Sequence, residues 1–418
     1  MSGSTARIPP FKALAAALRR TTEHLARELA RPTASTPDWS ETEWAIAQSA
    51  AAMQGISGLL ARKLVWSGPP AWRMFLAEQH EQSVLRDERI GVLLGRIDAT
   101  LRGKGVGCVA LKGAALRALG LYARGERPMG DVDLLVADRD LPSIAKAMAD
   151  IGYVEAFTMQ RHRVYEPRDR RTPRGFGEHV DNALKIEIHT AVAEPLPVSK
   201  VEITARLWLD RPEPGINAYP GLAALSLHLL LHAAGNIRAH TLRHVHLHDI
   251  AAMAPLLAED DWRAVLERPR GGERAWWVFP PLVLAARYHP KRIPEDVLRA
   301  ARAVCPRVLR VAAERQSLTD VSWSNLRIHA FPGIAWSRTP LEALRFMRSR
   351  ALPSRRSLAE LECVARDQPQ LDRVPWYGLP HGRRVLHWLF SKPPRVQTMV
   401  SVRAALESAG IGVTKADS

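Results

Sequence analysis

Cysteine is scarce in this chain. Three occur among 418 residues, Cys108, Cys305 and Cys363, far apart and without metal-site spacing. That argues against a disulfide framework and fits a reducing compartment. Aromatic residues make up only 6%, and lysine is rare beside arginine. No apolar run approaches the ~20 residues that a membrane-spanning helix needs. The longest candidate, Leu222–Ala234, is interrupted by Ser226, His228 and His232. Met1–Pro10 has no basic segment leading into an apolar core, so no signal peptide is evident and the expected location is cytoplasmic. Internal repeats and low-complexity tracts are also missing.

What remains is ordinary globular material, 46% apolar and 24% charged, long enough for roughly two or three domains. Arginine dominates a net charge of +16. A basic surface attracts polyanions by counterion release, so a nucleic acid or a phosphorylated substrate is a plausible partner.

The apolar pattern changes period along the chain. From Phe11 to about Leu101 it is helical, as in Leu14, Ala17, Leu18 and Leu25, with a break at Ser67-Gly68-Pro69-Pro70. Val106–Leu111 is predicted as a buried strand turning at Lys112-Gly113 into a helix, Ala114–Leu119. Val132–Val136 is predicted as a second strand. Asp140 is predicted to cap a helix that ends at Gly152. Arg163–Tyr165 and Leu184–Thr190 are predicted as two further strands, separated by an Arg-rich loop. From Leu222 onward the pattern is helical again. The expected fold is α+β: a small mixed sheet within N- and C-terminal helical segments, divided as 1–95, 96–215 and 216–418.

The chemistry concentrates in Asp131-Val132-Asp133, which runs into apolar Leu134-Leu135-Val136. Alternation along a strand puts both carboxylates on one face. Glu187 shares a face with Lys185 and His189 in the later alternating strand. Acids on central strands are costly unless paired or bound to a cation. Three such carboxylates suit two Mg²⁺ ions, which take hard oxygen ligands and substrate phosphates. Lys112 and Arg127 are candidates to hold phosphate oxygens, and Gly113 opens a helix whose N-terminus offers N–H groups to an anion.

These residues carry a resemblance. Leu111-Lys112-Gly113, Tyr122, Arg127, Asp131-x-Asp133-Leu134-Leu135-Val136, Gly152-Tyr153, His162 and Ile186-Glu187-Ile188-His189 resemble an uncharacterised nucleotidyltransferase family of the DNA polymerase β-like superfamily. The resemblance covers roughly residues 85–260 and extends weakly through Leu230, His232, Leu242-Arg243 and His248-Asp249-Ile250. It implies a nucleotidyltransferase core in which Asp131 and Asp133 ligate both metals and Glu187 is the third carboxylate. It implies transfer of a nucleoside monophosphate from an NTP with release of pyrophosphate. The superfamily usually carries Gly-Ser or Gly-Gly at the turn; Gly113-Ala114 lacks that serine hydroxyl.

The acceptor stays open: a small molecule, a peptide or RNA. A toxin-like tRNA nucleotidyltransferase is the alternative that the charge favours. A non-catalytic nucleotide- or RNA-binding protein on a decayed transferase fold is another. His189 orients a carboxylate, contacts substrate or is structural. His228 and His232, four apart, can share a helix face as zinc ligands do. The preferred expectation is a helix pair beside the site, with Asp249 or His232 facing the base or the acceptor. Trp276-Trp277, Arg355-Arg356, Arg383-Arg384, Lys392 and Arg395 are either a nucleic-acid surface or, more simply, packed tryptophans with a solvated basic face.

Overall fold

Alternating apolar residues form strands only in the middle of the chain, and there a mixed sheet assembles. The computed structural model describes residues 9–159, 162–169, 176–267, 274–355, 357–358, 378–391 and 393–411. The strands are β1 (Gly107–Ala110), β2 (Asp131–Val136), β3 (Tyr153–Thr158), β4 (His162–Pro167), β5 (Lys185–His189), β6 (Ala193–Pro195), β7 (Lys200–Glu202) and β8 (Gly215–Asn217). Six of them form one sheet in the order β3-β4-β5-β2-β1-β8, while β6 and β7 pair separately. β2 lies parallel to β5 and antiparallel to β1. The two central strands are therefore the two that carry the acids.

Among the described residues, ten α-helices precede residue 289: α1 (Phe11–Glu28), α2 (Glu41–Gln54), α3 (Ser57–Lys63), α4 (Pro70–Gly103), α5 (Lys112–Ala118), α6 (Leu141–Asp150), α7 (Leu222–Ala239), α8 (His244–Met253), α9 (Glu259–Leu266) and α10 (Phe279–Tyr288). Pro69-Pro70, expected as a break, is the start of α4, with proline in its first turn, where a missing N–H costs nothing. The second half of α4 and all of α6 cover one sheet face. Ile90, Leu93, Ile97, Leu101, Ile144 and Met148 pack there on Val132, Leu134, Val136, Ile186 and Ile188. These five strand residues are at most 1% exposed, and burial of each side chain is worth about 1.5–3 kcal/mol. That apolar face holds the strands while the opposite face carries charge. There α7 closes over the sheet, with Leu227, Leu230 and Leu231 in one core with Val109 and Leu135.

A second core joins chain ends that are far apart in sequence. Leu18, Leu25, Ile46, Leu59, Leu60 and Trp72 pack with Val402 and Leu406 of the helix Val396–Ser408. The expected mixed sheet among helices is present. The strand β3 was not expected, because its burial does not alternate: Val154 and Glu155 both face solvent at the sheet edge. Asp140 was expected to cap α6. Instead a 3-10 turn, Asp138–Asp140, leads into the helix and no side-chain cap bond forms. Trp276 and Trp277 are buried in the large core, so they pack rather than present a surface. Arg395 is likewise turned inward, donating to the His240 carbonyl at 2.6 Å. Arg356 and Lys392 lie outside the described residues. No described helix is long and apolar enough to cross a membrane. Cys108 and Cys305 are free thiols, both pushed up to about 12 by burial, and Cys363 lies outside the described residues.

Candidate active site

The parallel register of β2 and β5 sets Asp131 opposite Lys185, Asp133 opposite Glu187 and Leu135 opposite His189. Directly opposed residues share a face, so Asp133 and Glu187 stand side by side. Opposed like charges destabilise a sheet, and the local cations answer that. Lys112 Nζ lies 2.7 Å from Asp133 Oδ1. His189 Nε2 approaches the same oxygen at 3.0 Å and Glu187 Oε2 at 3.6 Å. From β4, His162 is set opposite His189 and its Nε2 lies 3.6 Å from Glu187 Oε2.

Lys112 stands where β1 gives way to α5. Its φ of +45° is left-handed, a conformation that costs a non-glycine residue about 1–3 kcal/mol. The turn is held on both sides. Leu111 N–H donates to the Asp133 carbonyl at 2.9 Å, and Lys112 N–H donates to the Tyr219 hydroxyl at 3.2 Å. That hydroxyl in turn lies 2.7 Å from His228 Nδ1. One N–H expected to be open to an anion is therefore already used. Gly113 is closely packed by two side chains. A Cβ there would lie 2.4 Å from Met129 Sδ and 2.7 Å from Arg127 Nη1.

A polar cavity of ≈ 130 Å³ opens over the acids, bordered by Lys112, Gly113, Arg127, Asp131, Asp133 and Asp249, with His232, Arg243 and His246 from the α7–α8 side. Asp249 is not a lone acid facing a base. It holds Arg127 through two contacts of 2.7 Å, and Tyr122 donates to it at 2.7 Å. Tyr122 also lies 2.9 Å from His248 Nδ1, whose Nε2 is 3.0 Å from Lys63 Nζ. Arg127 thus forms part of a braced wall. Glu187 and His189 do not border this cavity; they sit one strand away and reach it through Asp133.

The charges are unequal. Burial raises Asp131 and the neighbouring Asp133 raises it further, to about 7. Among the described residues Asp131 has no hydrogen-bond or ion-pair partner. Asp133 is also penalised by burial, but Lys112 and His189 hold its carboxyl well below the usual range. Lys112 would be lowered by burial, and Asp133, Asp131 and Glu187 instead hold it above its ordinary value. Burial pushes His189 down, and the two adjacent carboxylates outweigh it, so the imidazole sits above its usual value.

The profile of a family described as Uncharacterised nucleotidyltransferase matches residues 40–289, more than half the chain. The chain belongs to that family. No curated protein and no solved structure matches it. Family membership points to a nucleotide substrate, and the match takes in both acidic strands, α5, α7 and α8.

Two parts of the site were not apparent from sequence. Arg86 of α4 is 3% exposed. It donates to the Met129, His179 and Asn182 carbonyls and pairs with Glu178 at 2.9 Å. It therefore ties together the segments that precede both acidic strands. Its position in the buried stripe Gln79, Ser83, Arg86, Ile90, Leu93 is the signal that could have revealed it. Tyr219, the other, carries no pattern of its own. The histidines divide among separate partners. His232 and His246 lie ring to ring at 4.8 Å on the cavity, and His244 stacks on His289 at 5.1 Å. They form no metal group among the described residues; the group with ligand spacing is His162, Glu187 and His189.

Proposed function

We propose that this protein is a Mg²⁺-dependent nucleotidyltransferase on a DNA polymerase β-like core, moving a nucleoside monophosphate from an NTP to an acceptor hydroxyl or phosphate. The observation that carries this reading is the face shared by Asp131, Asp133 and Glu187 on two adjacent parallel strands, with Asp131 at the cavity making no hydrogen bond or ion pair among the described residues. Asp131 is half-buried beside the like charge of Asp133, and Lys112 and Arg127 offset that only through space, so a bound cation would relieve it. The oxygen-rich set beside it fits hard divalent cations, with Asp131 and Asp133 as the shared ligands and Glu187 completing them. When bound, two such ions activate an attacking oxygen and neutralise a leaving pyrophosphate.

The chain's own residues do the rest. The acceptor oxygen forms a bond to the α-phosphorus, the bond to the β-phosphate oxygen breaks, and pyrophosphate leaves. Lys112, fixed by its strained turn, supplies a positive charge at Asp133 and to the phosphates. Gly113 lets the triphosphate approach the backbone. Arg127, braced by Asp249, adds positive charge to the opposite wall. His232, Arg243 and His246 face the acids across the cavity and are placed to select base or acceptor.

A second reading, transfer to tRNA, is favoured by the net charge of +16. RNA affinity that falls steeply with salt supports it. The transferase reading itself is tested by pyrophosphate release from each NTP with Mg²⁺ in the presence of RNA and small-molecule extracts. Release that depends on Asp131 supports it, and release unaffected by Asp131→Asn refutes it.

A further inference from the structure

We propose that the ion beside Glu187 is a divalent transition metal, of the Zn²⁺ or Mn²⁺ class, held by His162 Nε2, Glu187 Oε2 and His189 Nε2. The argument is one of spacing. Two ligands each about 2.1 Å from one ion lie about 3.0 Å apart at a right angle and about 3.4 Å apart at a tetrahedral angle. Both imidazoles stand 3.6 Å from Glu187 Oε2. That is too long for a hydrogen bond and close to the separation of two atoms on a common ion. His189 Nε2 also lies 3.0 Å from Asp133 Oδ1, a contact that the ion would replace. The three ligand atoms all lie within 4.8 Å of one another.

His162 gives the independent observation. Its Nδ1 is buried without a hydrogen-bond partner, and its Nε2 makes only the long approach to Glu187. The ring also packs on His189 at 5.0 Å between centroids, which leaves Nε2 open to serve as a ligand. The placement is built into the sheet. The register sets His162 opposite His189 across β4 and β5, and alternation puts Glu187 two residues from His189 on the same face. Two histidines and one carboxylate with open positions are a set that selects transition metals over Mg²⁺, because imidazole is a poor ligand for Mg²⁺.

The site stands on its own ligands. Only its partnership with a nucleotide rests on the transferase reading, in which Glu187 is shared and one member of the ion pair is not magnesium. The test uses the full chain, stripped of metal. Co²⁺ serves as a visible-absorbing substitute, titrated into wild type, His162→Gln, His189→Gln and Asp131→Asn, with Zn²⁺ or Mg²⁺ as competitor. Wild type is expected to develop ligand-field bands that Zn²⁺ abolishes and Mg²⁺ at equal concentration does not. Either histidine variant is expected to lose at least about tenfold in affinity, and Asp131→Asn to retain the bands. Unchanged Co²⁺ affinity in His162→Gln, or displacement by Mg²⁺ as easily as by Zn²⁺, overturns the proposal. His162 lies on β4 beside the acidic strands, so circular dichroism of the metal-free variant checks its fold. Absence of transfer from any NTP would refute the transferase reading and leave the Co²⁺ titration untouched. Transfer with Mg²⁺ alone at the wild-type rate in His162→Gln would refute this inference and leave that reading intact.

Discussion

Replacing Asp249 by alanine is expected to be among the most costly single changes in the cavity wall. The carboxylate side chain is 1% exposed and that of Arg127 12%. Both Arg127 contacts are 2.7 Å, and Tyr122 adds a third at the same distance. Removing the acid leaves a guanidinium buried without its counter-charge, which costs about 3–5 kcal/mol. Tyr122 loses its bond to Asp249 but keeps His248 Nδ1 at 2.9 Å, so it adds little. Against a total stability of about 5–15 kcal/mol, the loss is about a fifth or more of what holds the fold. Removing both charges, as Arg127→Met with Asp249→Leu, is expected to restore most of the loss, since apolar replacement of a buried pair is often near neutral. Urea denaturation followed by tryptophan fluorescence reads both. A midpoint for Asp249→Ala within about 1 kcal/mol of wild type, or a double variant no better than the single one, refutes the braced wall.

Gly113→Ala forces Met129 and Arg127 aside; a loss of NTP affinity with at most about 2 kcal/mol lost in stability is expected, and unchanged affinity counts against the close approach. Acid should destabilise the fold through buried histidines. Burial lowers His228 to about 3, His248 to about 2 and His289 to about 4. The unfolded chain takes up protons below about pH 6.5 that the folded chain refuses, so stability is full above that value and falls as pH drops from there toward 4. The slope is at most about 1.4 kcal/mol per pH unit for each histidine, and a urea midpoint flat between pH 7 and 5 contradicts it. Trp277→Ala is expected to cost about 3–5 kcal/mol and to leave RNA affinity of the folded fraction unchanged. A selective loss of RNA affinity would return that tryptophan to a binding surface.

The acids were legible because they break a local rule. Charge on an otherwise apolar alternating strand stands out, and Glu187 with Lys185 and His189 showed the same alternation. The sheet order, which makes the acidic strands direct neighbours, was not legible, because register between distant strands depends on long-range pairing. Nor was the fate of Arg127. In a chain rich in arginine, nothing local distinguishes a phosphate ligand from one paired with Asp249, 122 residues away. Short edge strands such as β8 were missed because three residues carry no readable period.

The measurement that bears most directly on the central claim follows the label from NTP radioactive at either the α- or the γ-phosphate, in RNA and small-molecule extracts, with wild type, Asp131→Asn and Asp133→Asn. Nucleotidyl transfer predicts that α-label enters an acceptor and γ-label leaves as pyrophosphate. Each variant should lose about a hundredfold or more with its circular dichroism unchanged. Incorporation of γ-label, or α-label transfer at the wild-type rate by either variant, would contradict it.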